Sequence, residues 1–198
     1  MAKKNKIGLF FGSFNPIHVG HLIIANFFIE YTDISNVWFV ISPHNPLKEK
    51  KSLLPDYHRL AIANIAIEEN PKLKASNIEF KLPQPSYTIN TLAYLKEKYP
   101  TKEFVLLMGE DNLASLDKWK NYEILTEQNQ IYVYRRPNTP ESIFHKHLNV
   151  KIYNAPLMDI SSSYIRKAIS EGKDVRYLLP ETVYQYVMEM HFYENLSK

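Results

Sequence analysis

Two histidines three residues apart, His18 and His21, flank Gly20 in the stretch Gly12-Ser13-Phe14-Asn15-Pro16-Ile17-His18-Val19-Gly20-His21. Where such a stretch ends a strand and opens a helix, this spacing brings both imidazoles to one side. They then stand beside the free N–H groups of the first helical turn, a donor-rich place for a phosphate. Gly12 lets the backbone turn closely, Pro16 stiffens the loop, and Gly20 lets a ligand approach the main chain. A lone histidine here is ordinarily a helix cap or a packing residue. With 7 His and 5 Gly in 198 residues, His-x-Gly-His arises by chance in about 0.6% of such chains, which favours a ligand role for the pair. Zinc fits less well, because no third ligand is suggested nearby.

Elements able to hold this pair follow from the hydrophobic pattern. Apolar runs at 7–11, 37–42, 104–108, 131–134 and 150–153 read as strands, and 78–82 reads as another. Helical periods cover 22–31, 56–69, 89–98, 122–127, 161–171 and 181–192. Thr88 is placed to cap the third of these, with Pro100 beyond its end. Ser161, Ser162 and Ser163 open the fifth, Gly172 closes it, and Pro180 precedes the last. Alternating helices and fully apolar strands predict an α/β fold: a Rossmann-like, doubly wound, mostly parallel sheet with helices on both faces and a helical C-terminal end. No repeat or Gly/Ser linker divides the chain, so one domain over 1–198 is expected. In such sheets ligands sit beyond the carboxyl ends of the strands. The loop after 7–11 lies there, and so do Gly109 and Asp111 after 104–108.

Composition narrows the partners. With 45% hydrophobic and 23% charged residues the chain is that of an ordinary globular protein. A net charge of +3 is too weak to imply a nucleic-acid footprint. The lack of cysteine excludes thiolate zinc sites, iron–sulfur clusters and a cysteine nucleophile, and it fits a reducing compartment. The longest apolar stretch, 22–29, contains Asn26 and ends at Glu30, too short to span a bilayer. The basic cluster Lys3-Lys4-Asn5-Lys6 precedes an apolar run that breaks at Gly12 with no cleavage site. A cytoplasmic protein with neither nucleic acid nor membrane as partner is expected.

The stretch from Gly12 to His21 resembles the signature of the nucleotidyltransferase superfamily built around His-x-Gly-His. Far along the chain, Ile160-Ser161-Ser162-Ser163-Tyr164-Ile165-Arg166 is similar to that superfamily's late motif. Within it, three further segments resemble the nicotinate-nucleotide adenylyltransferase family. They are Pro43-His44-Asn45-Pro46-Leu47-Lys48, Pro85-Ser86-Tyr87-Thr88-Ile89-Asn90-Thr91-Leu92, and Gly109-Glu110-Asp111-Asn112 followed by Trp119. The likeness covers nearly the whole chain. It departs at Phe11, where the family usually has Gly, at Asn15, where it has Asp, and at Ser163, where Thr is commoner. Asn15 keeps hydrogen-bonding capacity but loses a charge, while Ser163 keeps the hydroxyl.

The resemblance implies a reaction that joins ATP and nicotinate mononucleotide into nicotinate adenine dinucleotide, releasing pyrophosphate, as in NAD biosynthesis. It implies that His18, His21 and Arg166 are catalytic. ATP would meet these three together with Gly12, Ser13, Phe14, Gly20, Gly109, Asp111 and the three serines Ser161, Ser162 and Ser163. The mononucleotide would meet Asn15, Lys48, Tyr87, Thr88, Trp119 and Arg136, with Trp119 stacked on the pyridine ring. Mg²⁺ would be held mainly by the ATP phosphates, with no metal site in the protein itself. Taken alone, several of these residues have plainer readings: a serine N-cap with a solvated Arg166, a turn at Asp111, a packing Trp119, a solvated loop at Lys48. Rival functions are a sister adenylyltransferase for nicotinamide mononucleotide or phosphopantetheine, a cytidylyltransferase, and a catalytically silent nucleotide-binding regulator.

Overall fold

The computed structural model describes residues 6–43 and 53–195; Lys48 and the segment around it lie outside these residues. Strands β1 (Lys6–Gly12), β2 (Asn36–Ile41), β3 (Leu73–Ser76), β4 (Glu103–Gly109), β5 (Gln130–Tyr134) and β6 (Val150–Tyr153) form one sheet. Their order is β3-β2-β1-β4-β5-β6 and every adjacent pair is parallel. The connecting helices are α1 (Val19–Tyr31), α2 (Asp56–Ile67), α3 (Thr88–Lys98), α4 (Glu110–Leu113), α5 (Tyr122–Gln128), α6 (Ser162–Ser170) and α7 (Glu181–Glu189).

Period-two alternation decides which face each strand residue serves. Val37, Phe39 and Ile41 of β2, Val105 and Leu107 of β4, and Tyr132 of β5 turn to the side covered by α1, α2, α6 and α7. Trp38 and Val40, Phe104, Leu106 and Met108, and Ile131 and Val133 turn to the side covered by α3, α4 and α5. Both faces are apolar because both are buried, which is why these strands read as unbroken hydrophobic runs. Among the described residues no helix is long and apolar enough to cross a membrane.

Three expectations need correction. Residues 78–82 are not a strand: Ile78–Lys81 is a single 3₁₀ turn, and the strand of this region is β3, a few residues earlier. The turn buries the carboxylate of Glu79, which accepts from Thr91 Oγ1 at 2.7 Å and Ser86 Oγ at 3.1 Å. That inward anchor takes the chain off the sheet. Thr88 does not cap α3 but is its first residue; the extended Tyr87 is the cap, its carbonyl accepting from the amides of Asn90 and Thr91. The last helix stops at Glu189 and does not reach 192. His191 and Tyr193 adopt left-handed backbone (φ 53° and 68°), which turns the chain inward.

The strand order reverses direction between β1 and β4, the switch point at which doubly wound sheets bind ligands. The loops leaving Gly12 and Gly109 border that crevice.

Candidate active site

His18 is the N-cap of α1, its backbone extended at φ −142° and ψ 171°. Its amide N–H donates to His21 Nδ1 at 3.2 Å, so a neutral His21 carries its ring proton on Nε2. The two rings stack with centroids 3.7 Å apart and 27° between their planes. Gly20 makes this possible: a Cβ there would stand 3.1 Å from His18 Nδ1. His18 is only 4% exposed. Burial, and then the charge of Arg136, push its pKa down to about 4, so the ring is neutral at physiological pH. Its Nδ1 is buried with no hydrogen-bond partner. This is the kind of unsatisfied group that a ligand site retains.

The loop before the pair is strained and firmly held. Phe14 lies in the left-handed region at φ 43°, a conformation that costs a non-glycine residue about 1–2 kcal/mol. Its buried ring, edge-on to Phe39 at 5.3 Å, Phe10 at 5.8 Å and His21 at 5.1 Å, offsets that cost. Gly12 leaves room beneath it, since a Cβ there would stand only 3.0 Å from the Phe14 ring. From the far end of the chain Ser162 Oγ donates to the Pro16 carbonyl at 2.9 Å, and Arg166 Nη1 to the Asn15 carbonyl at 2.8 Å. The two motifs, 146 residues apart in sequence, meet in space.

A cleft opens beside the histidines. His18, Gly20 and His21 face Tyr134, Arg135 and Arg136, while Phe10, Ile24, Pro156, Met158 and Ile160 supply its apolar lining. Arg136 lies against the Tyr134 ring, 5.3 Å from its centroid, with Nε 3.6 Å from Asp111 Oδ1. Asp111 has a half-exposed side chain, and a Cβ on Gly109 would collide with it and with the Tyr134 ring.

Other residues singled out from sequence do not line this cleft. Ser161 Oγ caps α6 by accepting from the Tyr164 amide at 3.1 Å, and Ser163 Oγ accepts from Arg166 Nη2 at 3.3 Å. The Asn15 side chain turns into the protein, its Oδ1 accepting from the Leu54 amide at 3.2 Å and the Tyr193 hydroxyl at 2.8 Å. Tyr87, Thr88 and Trp119 are half-buried, with α3 and the turn Leu116–Lys118 bringing them close. Lys120 ties the two segments together, its ammonium 4.3 Å from the centre of the Tyr87 ring. The first turn of α3 has neither an acidic residue nor a side-chain cap.

Three organising residues were given no role from the sequence. Arg59, 1% exposed, gives four hydrogen bonds to carbonyl oxygens: Nη1 to Ser13 at 2.7 Å and Ser42 at 2.8 Å, Nε to Leu54 at 2.9 Å, and Nη2 to Pro43 at 3.0 Å. Its one sequence signal was a charge on the apolar stripe of α2, in step with Ile62 and Ala63. Tyr193 gave no local signal. Glu110, buried after β4, accepts from His145 Nε2 at 2.8 Å, from the Arg136 amide at 3.1 Å and from Arg135 Nη1 at 3.4 Å. Burial would raise its pKa, but these partners hold it below the usual carboxylate range. It therefore fixes the backbone that presents Arg135 and Arg136. Among the described residues no three His, Asp or Glu side chains gather as a metal site.

The model of the cytidylyltransferase-like family matches residues 9–168. A relative from Flavobacterium psychrophilum, named a probable nicotinate-nucleotide adenylyltransferase, is 55% identical over 192 residues, covering 96% of this chain and all of its own. One of the same name from Bacteroides thetaiotaomicron is 44% identical over 191 residues, 96% of this chain and 95% of its own. Among solved structures, the Plasmodium falciparum nicotinic acid mononucleotide adenylyltransferase complexed with NaAD superposes with a TM-score of 0.81 at 21% identity, covering 96% of this chain and 98% of that one. That structure speaks for the fold.

Proposed function

This chain belongs to the cytidylyltransferase-like family and, within it, to the nicotinate-nucleotide adenylyltransferases, and from that premise we propose that it joins ATP to nicotinate mononucleotide. The products are nicotinate adenine dinucleotide and pyrophosphate, a step of NAD biosynthesis. A phosphate oxygen of the mononucleotide attacks the α-phosphorus in line. A new P–O bond forms, the bond from the α-phosphorus to the bridging oxygen breaks, and pyrophosphate leaves with the electron pair. The nucleophile is already anionic at neutral pH, so no side chain removes a proton. The protein has to align the two phosphates and stabilise charge on the five-coordinate phosphorus.

The observation that carries this reading is the stacked His18–His21 pair opening on a cleft opposite Arg136. Neutral imidazoles suit this chemistry, because they donate hydrogen bonds to phosphate oxygens without changing protonation through the cycle. His21 offers Nε2–H, because its Nδ1 is occupied by the His18 amide. Gly12, Ser13, Phe14 and Gly20 present the main chain to ATP, Gly109 and Asp111 meet its ribose side, and the α6 end at Ser161, Ser162 and Ser163 meets its phosphates with Arg166. Arg136 is placed to neutralise phosphate charge from the far wall. Trp119 stacks on the pyridine ring, and the open first turn of α3 after Tyr87 receives the nicotinate carboxylate at the Thr88 end.

A divalent cation, Mg²⁺ in this reading, suits a donor set without a protein cage. The ATP phosphates carry it, and the half-exposed Asp111 is the carboxylate able to turn toward it. The cation supplies charge neutralisation for the departing pyrophosphate. The chain acts as one nucleotidyltransferase domain whose C-terminal helices complete the site, working in the cytoplasm where ATP is abundant. Pyrophosphate release measured with ATP and each of nicotinate mononucleotide, nicotinamide mononucleotide and phosphopantetheine tests the reading. Release preferring the nicotinate substrate is expected. Equal or greater release with another acceptor refutes the substrate, and no release with any refutes the enzyme.

A further inference from the structure

The loop of residues 12–17 is gripped from one side through its oxygen atoms. The Gly12 carbonyl accepts from the Ser42 amide at 2.9 Å, Ser13 from Arg59, Asn15 from Arg166 and Pro16 from Ser162. In a trans peptide the carbonyl and the next N–H point in opposite directions. With the Ser13 and Pro16 carbonyls held back, the amides of Phe14 and Ile17 point the other way. A loop with carbonyl oxygens free to rotate would instead offer an approaching phosphate partial negative charge.

Arg59 is the centre of this grip. Its four bonds all go to carbonyls on three separate stretches of chain, and no carboxylate of the described residues pairs with it within 4 Å. Tyr193 completes the grip from the end of the chain. Its ring is 5% exposed, its hydroxyl donates to Asn15 Oδ1, and the charges of Arg166 and Arg59 both reach it. Burial outweighs those charges and raises its pKa, so the hydroxyl keeps the proton it donates.

We propose that Arg59 and Tyr193 are positioning residues: Arg59 through the Ser13 carbonyl and Tyr193 through the Asn15 side chain fix the 12–17 loop with its carbonyls turned away from the bound nucleotide, and so make the loop a receptor for its phosphates. Neither touches the nucleotide. The proposal rests on the reading of this loop as the ATP phosphate site but not on the transfer reaction, so its test reads binding.

Calorimetric titration of the full chain with magnesium-ATP and, separately, with adenosine tests it in wild type, Tyr193→Phe and Arg59→Lys. Both variants are expected to bind magnesium-ATP about tenfold more weakly while adenosine affinity stays within about twofold, because adenosine has no phosphate to sense the loop. Should Arg59→Lys fail to fold, Tyr193→Phe carries the test, since it removes one oxygen and keeps the ring. Combining Tyr193→Phe with Asn15→Ala should weaken ATP binding no further than Asn15→Ala alone, since Asn15→Ala already removes the hydrogen bond that Tyr193→Phe breaks, together with that from the Leu54 amide. A parallel loss for ATP and adenosine, unchanged ATP affinity, or additive effects would overturn the proposal. A wild type that binds ATP but transfers nothing to nicotinate mononucleotide defeats the reaction and leaves the grip standing.

Discussion

Strand β1 carries a buried cation at its first residue and ends in a loop gripped by two guanidinium groups, Arg59 buried and Arg166 half-buried, and the two ends are satisfied in opposite ways. At the first, Lys6 Nζ meets Asp33 at 2.7 Å, Glu103 at 3.1 Å and Gln130 at 3.1 Å, and the Tyr132 hydroxyl donates to Asp33 at 2.7 Å. Burial there would lower the Lys6 pKa, but the two carboxylates win and raise it. At the other end Arg59 and Arg166 meet carbonyls and a serine hydroxyl and form no ion pair among the described residues. Burial lowers the pKa of both. His18 beside them is buried and neutral with an unpartnered nitrogen. The first end is electrostatically complete and serves the fold. The second keeps positive charge that, among the described residues, meets dipoles and no directly paired carboxylate, the condition in which an anionic ligand gains most.

The largest test of this contrast removes the two imidazoles proposed to face the phosphates. His18→Ala and His21→Ala should each lower turnover by about 10²–10³-fold, a range set by the loss of an aligned donor to a transition-state oxyanion. Steady-state pyrophosphate release on protein whose circular dichroism matches wild type checks it. Lys6→Met should do the reverse, costing about 2–3 kcal/mol in urea unfolding while turnover stays within about twofold. Asp33 and Glu103 are partly exposed and can turn to water, which keeps the loss below that of a fully buried pair.

Acid should weaken the ligand end next. Above pH 6.5 folded and unfolded chains both hold His18 neutral. Between 6.5 and about 4 the unfolded chain takes up a proton that the folded one refuses, so folding weakens as pH falls, by about 3 kcal/mol in all. Below about 4 both states are protonated and the loss stops growing. His18→Gln should remove that contribution from urea unfolding measured between pH 7 and 4. Smallest in scale, Trp119→Ala should raise KM for nicotinate mononucleotide about tenfold and leave KM for ATP within about twofold, measured by varying each substrate in turn.

The contrast also explains what the sequence could disclose. Strands β1, β2, β4 and β5 are buried on both faces, so their composition alone marked them. Strand β3 has four residues at the sheet edge, including Lys74, and no such signal, whereas the alternating Ile78-Glu79-Phe80-Lys81 imitated a strand while folding around a buried Glu79 carboxylate. The His pair was legible because its chemistry is local: two histidines three apart at a helix start, with the glycine between them that leaves room for the rings to stack. The grip on the loop was not. Arg59 and Tyr193 act on atoms 46 and 178 residues away, and Arg59 acts on backbone oxygens that every residue possesses, so a charge on the apolar stripe of α2 marks Arg59 as buried without saying what it holds. Asn15 was likewise read as facing substrate, while its side chain serves the interior.

The most direct measurement follows the phosphorus atoms. With ATP labelled at either the α- or the γ-phosphorus and nicotinate mononucleotide as acceptor, the α label should appear in the dinucleotide and the γ label in pyrophosphate. A γ label in the acceptor product, or an α label that stays with free adenosine nucleotides, would contradict an adenylyl transfer at the His18–His21 cleft.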